Sequence, residues 1–214
     1  MEERGVAPDI VTFNSIINIL RWGGQGDLAL EVLEGMNRTS GKFGREDGGG
    51  GRAEGVVGGV RPDVITYNRA IAACAAVDRE PGADWKKACD LLAEMQRKGL
   101  KPDLYSYTGA IHACARAGNS SEAMRLLRAM ENNQVEPDVV AMTACMDALA
   151  KSGRWSDVLK LLDEMRVKRI TPNERTYQAA VQACGKGGQW QRALELLSYL
   201  EARPSGATVQ ARRR

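Results

Sequence analysis

The sequence predicts an all-α fold: an α-α superhelical solenoid of stacked helical hairpins. Three observations point to it. A Pro-Asp pair recurs at Pro8-Asp9, Pro62-Asp63, Pro102-Asp103 and Pro137-Asp138, and Pro172-Asn173 is a fifth near-match. After each comes a similar string, such as Ile10-Val11-Thr12-Phe13-Asn14, Val64-Ile65-Thr66-Tyr67-Asn68 and Leu104-Tyr105-Ser106-Tyr107-Thr108. A second apolar block follows further on, as in Ala88 to Met95 and Ala123 to Met130. The intervals from residue 62 onward are 40, 35 and 35 residues, and the first is 54. Self-similarity at such a period marks a repeat array, because one small hairpin cannot bury its apolar stripes and its neighbours must cover them.

Each unit reads as two helices. In the third, Tyr107, Ile111, Cys114 and Ala115 fall at i, i+4, i+7 and i+8 on one helical face. Gly118-Asn119 breaks that pattern, and Ala123, Leu126, Leu127 and Met130 form a second stripe. Asn132-Asn133 and Pro137 stop the second helix, since proline offers no N–H and disfavours helix at the residue before it. The predicted divisions are 1–9 as the tail of a preceding unit, 10–63 as repeat 1 and 64–103 as repeat 2. Repeats 3, 4 and 5 take 104–138, 139–173 and 174–203, the last with a degenerate end, and 204–214 reads as a disordered basic tail. Repeat 1 carries a Gly-rich insertion at about 37–61, including Gly48 to Gly51, and repeat 2 has a short insertion around Asp78 to Gly82. Opening in mid-repeat and lacking polar end caps, the chain reads as a fragment of a longer array.

Composition narrows the function classes. The 214 residues are 43% hydrophobic and 27% charged, as in globular proteins. No apolar run approaches membrane-spanning length, so no membrane partner is expected. A net charge of +3 permits nucleic-acid binding without requiring it. Five cysteines with no C-x-x-C spacing, and His112 as the sole histidine, predict neither a disulfide framework nor a bound metal or other cofactor. Cys74, Cys114 and Cys184 share one repeat position and read as small packing residues. No targeting segment is visible at Met1-Glu2-Glu3-Arg4-Gly5.

The 35-residue period, the Pro-Asp-x-x-Thr-Tyr-Asn opening and the Ala-x-x-Leu-x-x-x-Met closing resemble the pentatricopeptide repeat. The resemblance spans roughly residues 1 to 203. The related tetratricopeptide repeat has a 34-residue period and a Trp-x-x-Leu-Gly-x-x-Tyr signature, which no Trp here begins. The resemblance implies a tetratricopeptide-like solenoid that binds single-stranded RNA in mitochondria or plastids and serves RNA processing, stabilisation or translation. Such arrays read one base per repeat through two or three side chains. Carried over, the reading pairs are Asn14 with Asp63, Asn68 with Asp103, Thr108 with Asp138 and Thr143 with Asn173. They imply a 5′-UUGA-3′ core, and Gln178 is a fifth reader with no clear partner. Val11, Ile65, Tyr105, Val140 and Arg175 are the implied base-stacking residues.

Elementary chemistry fits this reading. Amide and hydroxyl groups can meet a base's Watson–Crick edge, and stacking contributes roughly 1–3 kcal/mol per base. Arg116, Lys151 and Lys186, 35 residues apart, would form a basic line suited to phosphates. Plainer readings stand beside these: the Asp and Asn residues as helix N-caps, and the basic residues as favourable charges at helix C-termini.

No catalytic role is expected of this segment. A two-metal nuclease needs clustered carboxylates, and the acids here are dispersed at repeat spacing. A deaminase needs H-x-E and P-C-x-x-C ligands, which the sequence lacks. A longer protein could add repeats or a catalytic module. The alternative function is a protein–protein interaction scaffold, the usual work of related helical-hairpin arrays.

Overall fold

The computed structural model describes residues 8–40, 60–76 and 84–202. Among these there are ten α-helices and no strand. First helices of the repeats are α1 (Ile10–Trp22), α3 (Val64–Ala76), α5 (Leu104–Arg116), α7 (Val139–Lys151) and α9 (Glu174–Lys186). Second helices are α2 (Gly26–Ser40), α4 (Asp84–Arg97), α6 (Ser120–Asn132), α8 (Trp155–Val167) and α10 (Trp190–Ala202). No described helix is long and apolar enough to cross a membrane.

The insertion expected at about 37–61 opens inside α2, which runs through Ser40. Its remainder at 41–59 lies outside the described residues, as do the turn insertion at 78–82, the tail 204–214 and residues 1–7.

Two compact units divide the chain, Met1–Ala117 and Gly118–Arg214, so the division falls inside repeat 3. In the first, α1, α3 and α5 pack in a row; α2 rests against α1 and α3, and α4 against α3 and α5. In the second, α7 packs on α9, α8 touches both, α6 lies on α7 and α10 on α9. The same rule recurs within both units: α2, α4 and α8 each cover their own first helix and the next one.

The apolar stripes explain this packing. Phe13, Tyr67, Tyr107, Met142 and Tyr177 occupy one repeat position and are all buried. Ala88, Leu92 and Met95 in α4 and Val158, Leu162 and Met165 in α8 are buried on the inner faces of second helices. Each large side chain so buried contributes about 1.5–3 kcal/mol. Between first helices the residues are small: Ala70 and Ala73, Ala110 and Ala113, Ala180 and Ala183. Close approach follows, and a Cβ added at Gly109 would lie 3.0 Å from Ile71 Cγ2.

Second helices end alike. The N–H groups of Leu100, Val135 and Ile170 donate to the carbonyls of Met95, Met130 and Met165, closing the last turn. The residue before each adopts positive φ: Gly99 at 75°, but Gln134 at 61° and Arg169 at 58°. Two repeats thus hold a side chain where glycine would be unstrained.

Charge joins α6 to α8. The Arg128 guanidinium donates to both carboxylate oxygens of Glu164 at 2.8 Å and to Glu131 at 2.8 Å. Lys168 adds contacts to Glu131 and Glu164. The hydrogen bonds from Arg128 take the Glu164 carboxyl from its ordinary 4.5 down to about 2.

Candidate nucleic-acid interface

All five Pro-Asp or Pro-Asn sites begin a first helix, and their side chains cap it. Asp9, Asp63, Asp103, Asp138 and Asn173 accept from the backbone N–H of Thr12, Thr66, Ser106, Ala141 and Thr176 at 2.8–2.9 Å. A cap of this kind contributes about 1 kcal/mol. In α3, α5 and α9 the third helical residue carries a hydroxyl, and the oxygen of Thr66, Ser106 or Thr176 accepts in return from the capping residue's own N–H.

The cap leaves acceptor capacity over, and the preceding repeat uses it. Asn68 Nδ2 donates to Asp103 Oδ1 at 3.0 Å and Oδ2 at 3.1 Å, from α3 to the start of α5. Asn14 Nδ2 approaches Asp63 Oδ1 at 3.5 Å, a longer contact. Burial pushes the Asp63 carboxyl up, but hydrogen bonds from the Thr66 N–H and hydroxyl and from Asn14 outweigh it and hold the group below its ordinary value. Asn14 is 6% exposed, and its Oδ1 has no partner among the described residues.

The fourth pair is linked less directly than the sequence suggests. Thr143 is 3% exposed and meets Thr176 Oγ1 at 2.7 Å; Thr176 in turn donates to Asn173 Oδ1 at 2.9 Å. Thr108 belongs to the first unit, where its hydroxyl is buried with no partner among the described residues. Asp138 belongs to the second, where it caps α7. Gln178 is exposed and donates to Glu174 at 3.0 Å within α9.

The five implied stacking positions are all exposed. Val11, Ile65, Tyr105 and Val140 are between 45% and 74% exposed, large apolar groups that the core does not use. Arg175 replaces them in α9 and turns its guanidinium to Asp147 Oδ2 on α7, at 2.9 Å. In the first unit, Ile65, Asn68, Asp103 and Tyr105 line one groove of about 540 Å3 with Arg69 and His112. A planar ligand there would meet apolar walls and an amide–carboxylate pair together.

The basic line has a structural use. Arg116 Nη1 donates to the Ala75 carbonyl at 2.7 Å, and Lys186 Nζ to the Lys151 carbonyl at 3.3 Å. Each satisfies the C-terminal end of the preceding first helix, where carbonyls lack partners and the dipole favours a cation. Lys151 is exposed at the same repeat position.

Sequence reasoning overlooked Ser106, Thr176 and Asp147. A signal existed for the first two: Thr12, Thr66, Ser106 and Thr176 recur three residues after each cap, and only Ala141 departs. For Asp147 no repeat signal exists, since Asn18, Ala72, His112 and Gln182 hold its equivalents.

Three family models match the chain. One described as PPR repeat family matches residues 137–186. The pentatricopeptide repeat domain matches 1–40 and 90–141, and PPR repeat matches 175–203. No curated protein matches. Among solved structures, the pentatricopeptide repeat protein PPR10 in complex with an 18-nt psaJ RNA element is similar at 23% identity and a TM-score of 0.69. The match covers 96% of this chain and 25% of that one, so this chain spans a quarter of that protein's length. PPR10 from maize is 25% identical with a TM-score of 0.66, over 93% of this chain and 25% of that one. The PPR domain of Arabidopsis thaliana protein-only RNase P 1, in complex with tRNA, is 12% identical with a TM-score of 0.69 and 94% of both chains covered. At these identities the likeness to the RNA complexes speaks for the fold.

Proposed function

The chain belongs to the pentatricopeptide repeat family, and we propose that it binds single-stranded RNA, one base to each repeat. The observation that carries this reading is the groove of the first unit, which the Asn68–Asp103 pair lines together with the exposed apolar side chains of Ile65 and Tyr105. An amide held by a carboxylate can direct hydrogen bonds at a base edge, while apolar groups beside it take the base faces. The solved relatives bound to RNA support the same partner.

The readers are Asn14 with Asp63, Asn68 with Asp103, Thr108, and Thr143 with Asn173, for a 5′-UUGA-3′ core. Gln178 is a fifth reader. Val11, Ile65, Tyr105, Val140 and Arg175 flank the bases, and Arg116, Lys151 and Lys186 attract phosphates in addition to satisfying helix ends. The protein acts by binding and not by catalysis, occluding, protecting or recruiting RNA in a mitochondrion or plastid.

Fluorescence anisotropy with short labelled oligomers tests the proposal. Tighter binding to UUGA-containing RNA than to a scrambled oligomer is expected. Equal binding to both would remove the base assignment, and no binding to either at low salt would favour a protein-interaction scaffold.

A further inference from the structure

We infer that the hydroxyl at the third position of a first helix, Ser106 in α5 and Thr176 in α9, is a positioning residue: it fixes which hydrogen-bonding group the reader of the preceding repeat offers to a base. This rests on the RNA reading above and extends it to residues outside the reading pairs.

Consider Asn68. A carboxylate only accepts, so the side of the amide facing Asp103 at 3.0 and 3.1 Å must be its NH2. The other side then carries the oxygen, and Ser106 Oγ lies 2.5 Å from it. Ser106 Oγ also accepts from the Asp103 N–H at 3.1 Å and lies 3.0 Å from Asp103 Oδ1; the shorter contact takes its single proton to the Asn68 oxygen. Asn68 is therefore held at both ends: its oxygen is engaged, and its remaining N–H is the group left to offer. An N–H matches the O4 acceptor of uracil. A flipped amide would present oxygen, which suits the amino group of cytosine instead.

Repeat 4 obeys the same logic with different groups. Thr176 donates to Asn173 Oδ1 at 2.9 Å, so in the 2.7 Å contact between the hydroxyls Thr143 is the donor. That direction leaves Thr143 oxygen as an acceptor, which suits the amino group of adenine and not the O6 of guanine. Repeat 1 supplies an internal contrast. Thr66 donates to Asp63 at 2.8 Å, while Asn14 Oδ1 has no partner among the described residues and the amide–carboxylate contact is 3.5 Å. There the third-position hydroxyl does not reach the reader.

The test uses the full chain and labelled oligomers carrying UUGA or UCGA, with Ser106→Ala, Ser106→Thr and Thr66→Ala variants. Losing one hydrogen bond should cut the Ser106→Ala preference for U over C about threefold to tenfold. Ser106→Thr restores the preference, and Thr66→Ala leaves the preference at the first base unchanged. The Asn68 side-chain amide resonances of the RNA-free protein should shift in Ser106→Ala and return in Ser106→Thr. If Ser106→Ala unfolds, Thr176→Ala read on UUGA against UUGG takes its place, with the same fall expected. A uniform loss of affinity with the U-to-C ratio intact would make Ser106 a helix cap only and overturn the inference. Unshifted Asn68 resonances would overturn it without RNA. A wild-type chain that binds neither oligomer would remove the RNA reading itself, and this inference with it.

Discussion

Asn68 Nδ2 donates to both carboxylate oxygens of Asp103, at 3.0 and 3.1 Å, while that carboxylate also caps α5. Two roles thus meet in one side chain, and a substitution can separate them. Asparagine caps helices about as well as aspartate, so Asp103→Asn should leave the melting temperature nearly unchanged. It replaces one acceptor oxygen with a donor, and the preference at the second base should fall severalfold in anisotropy titrations. An unaltered preference would leave Asp103 as a cap alone.

Lys186 has a comparable double use, because its ammonium already meets the Lys151 carbonyl at 3.3 Å. Binding measured across a salt series distinguishes the two. Each phosphate neutralised on a single strand contributes about 0.7 to the slope of log K against log salt. Lys186→Ala should lower the slope by about that amount, whereas a purely structural lysine would change stability and leave the slope intact.

Packing at the turn of repeat 5 depends on one missing side chain. A Cβ at Gly187 would lie 2.0 Å from Trp155 Cδ1, so the indole occupies the space alanine would need. Gly187→Ala should destabilise the second unit by about 1–3 kcal/mol in urea unfolding, as overpacked sites do. Adding Trp155→Ala should recover part of that loss, a non-additivity expected of residues in contact.

Acid should loosen the α6–α8 contact. The Glu164 carboxyl is depressed in the folded chain, so its contribution to stability is present above the ordinary 4.5 and lost as pH falls toward about 2. The melting-temperature difference between wild type and Glu164→Gln should shrink across that window. A difference independent of pH would show that the Arg128 contact adds nothing through charge.

Much of this architecture is legible in the chain because every repeat restates it. The buried positions of Tyr67, Tyr107 and Tyr177 and the caps at Asp63, Asp103 and Asn173 follow from periodicity and turn chemistry. What periodicity cannot supply is a contact between one repeat's fifth helical residue and the next repeat's third. The Ser106–Asn68 and Thr176–Thr143 contacts depend on how far apart two first helices stand, which small residues at Ala110 and Ala180 set. Thr143 illustrates the limit: its type suggests an open reader, yet the neighbouring helix covers it. Arg175 is similar, since nothing in its own repeat announces Asp147 as its partner.

The most direct test of base-by-base reading is to recode repeat 4. Thr143→Asn with Asn173→Asp installs the pair found at Asn68 and Asp103, beside a Thr176 hydroxyl equivalent to that of Ser106. Titrated against UUGA and UUGU oligomers, the double variant should prefer UUGU where the unaltered chain prefers UUGA. Continued preference for UUGA, in a variant that melts like the parent, would contradict one-base-per-repeat reading by these residues.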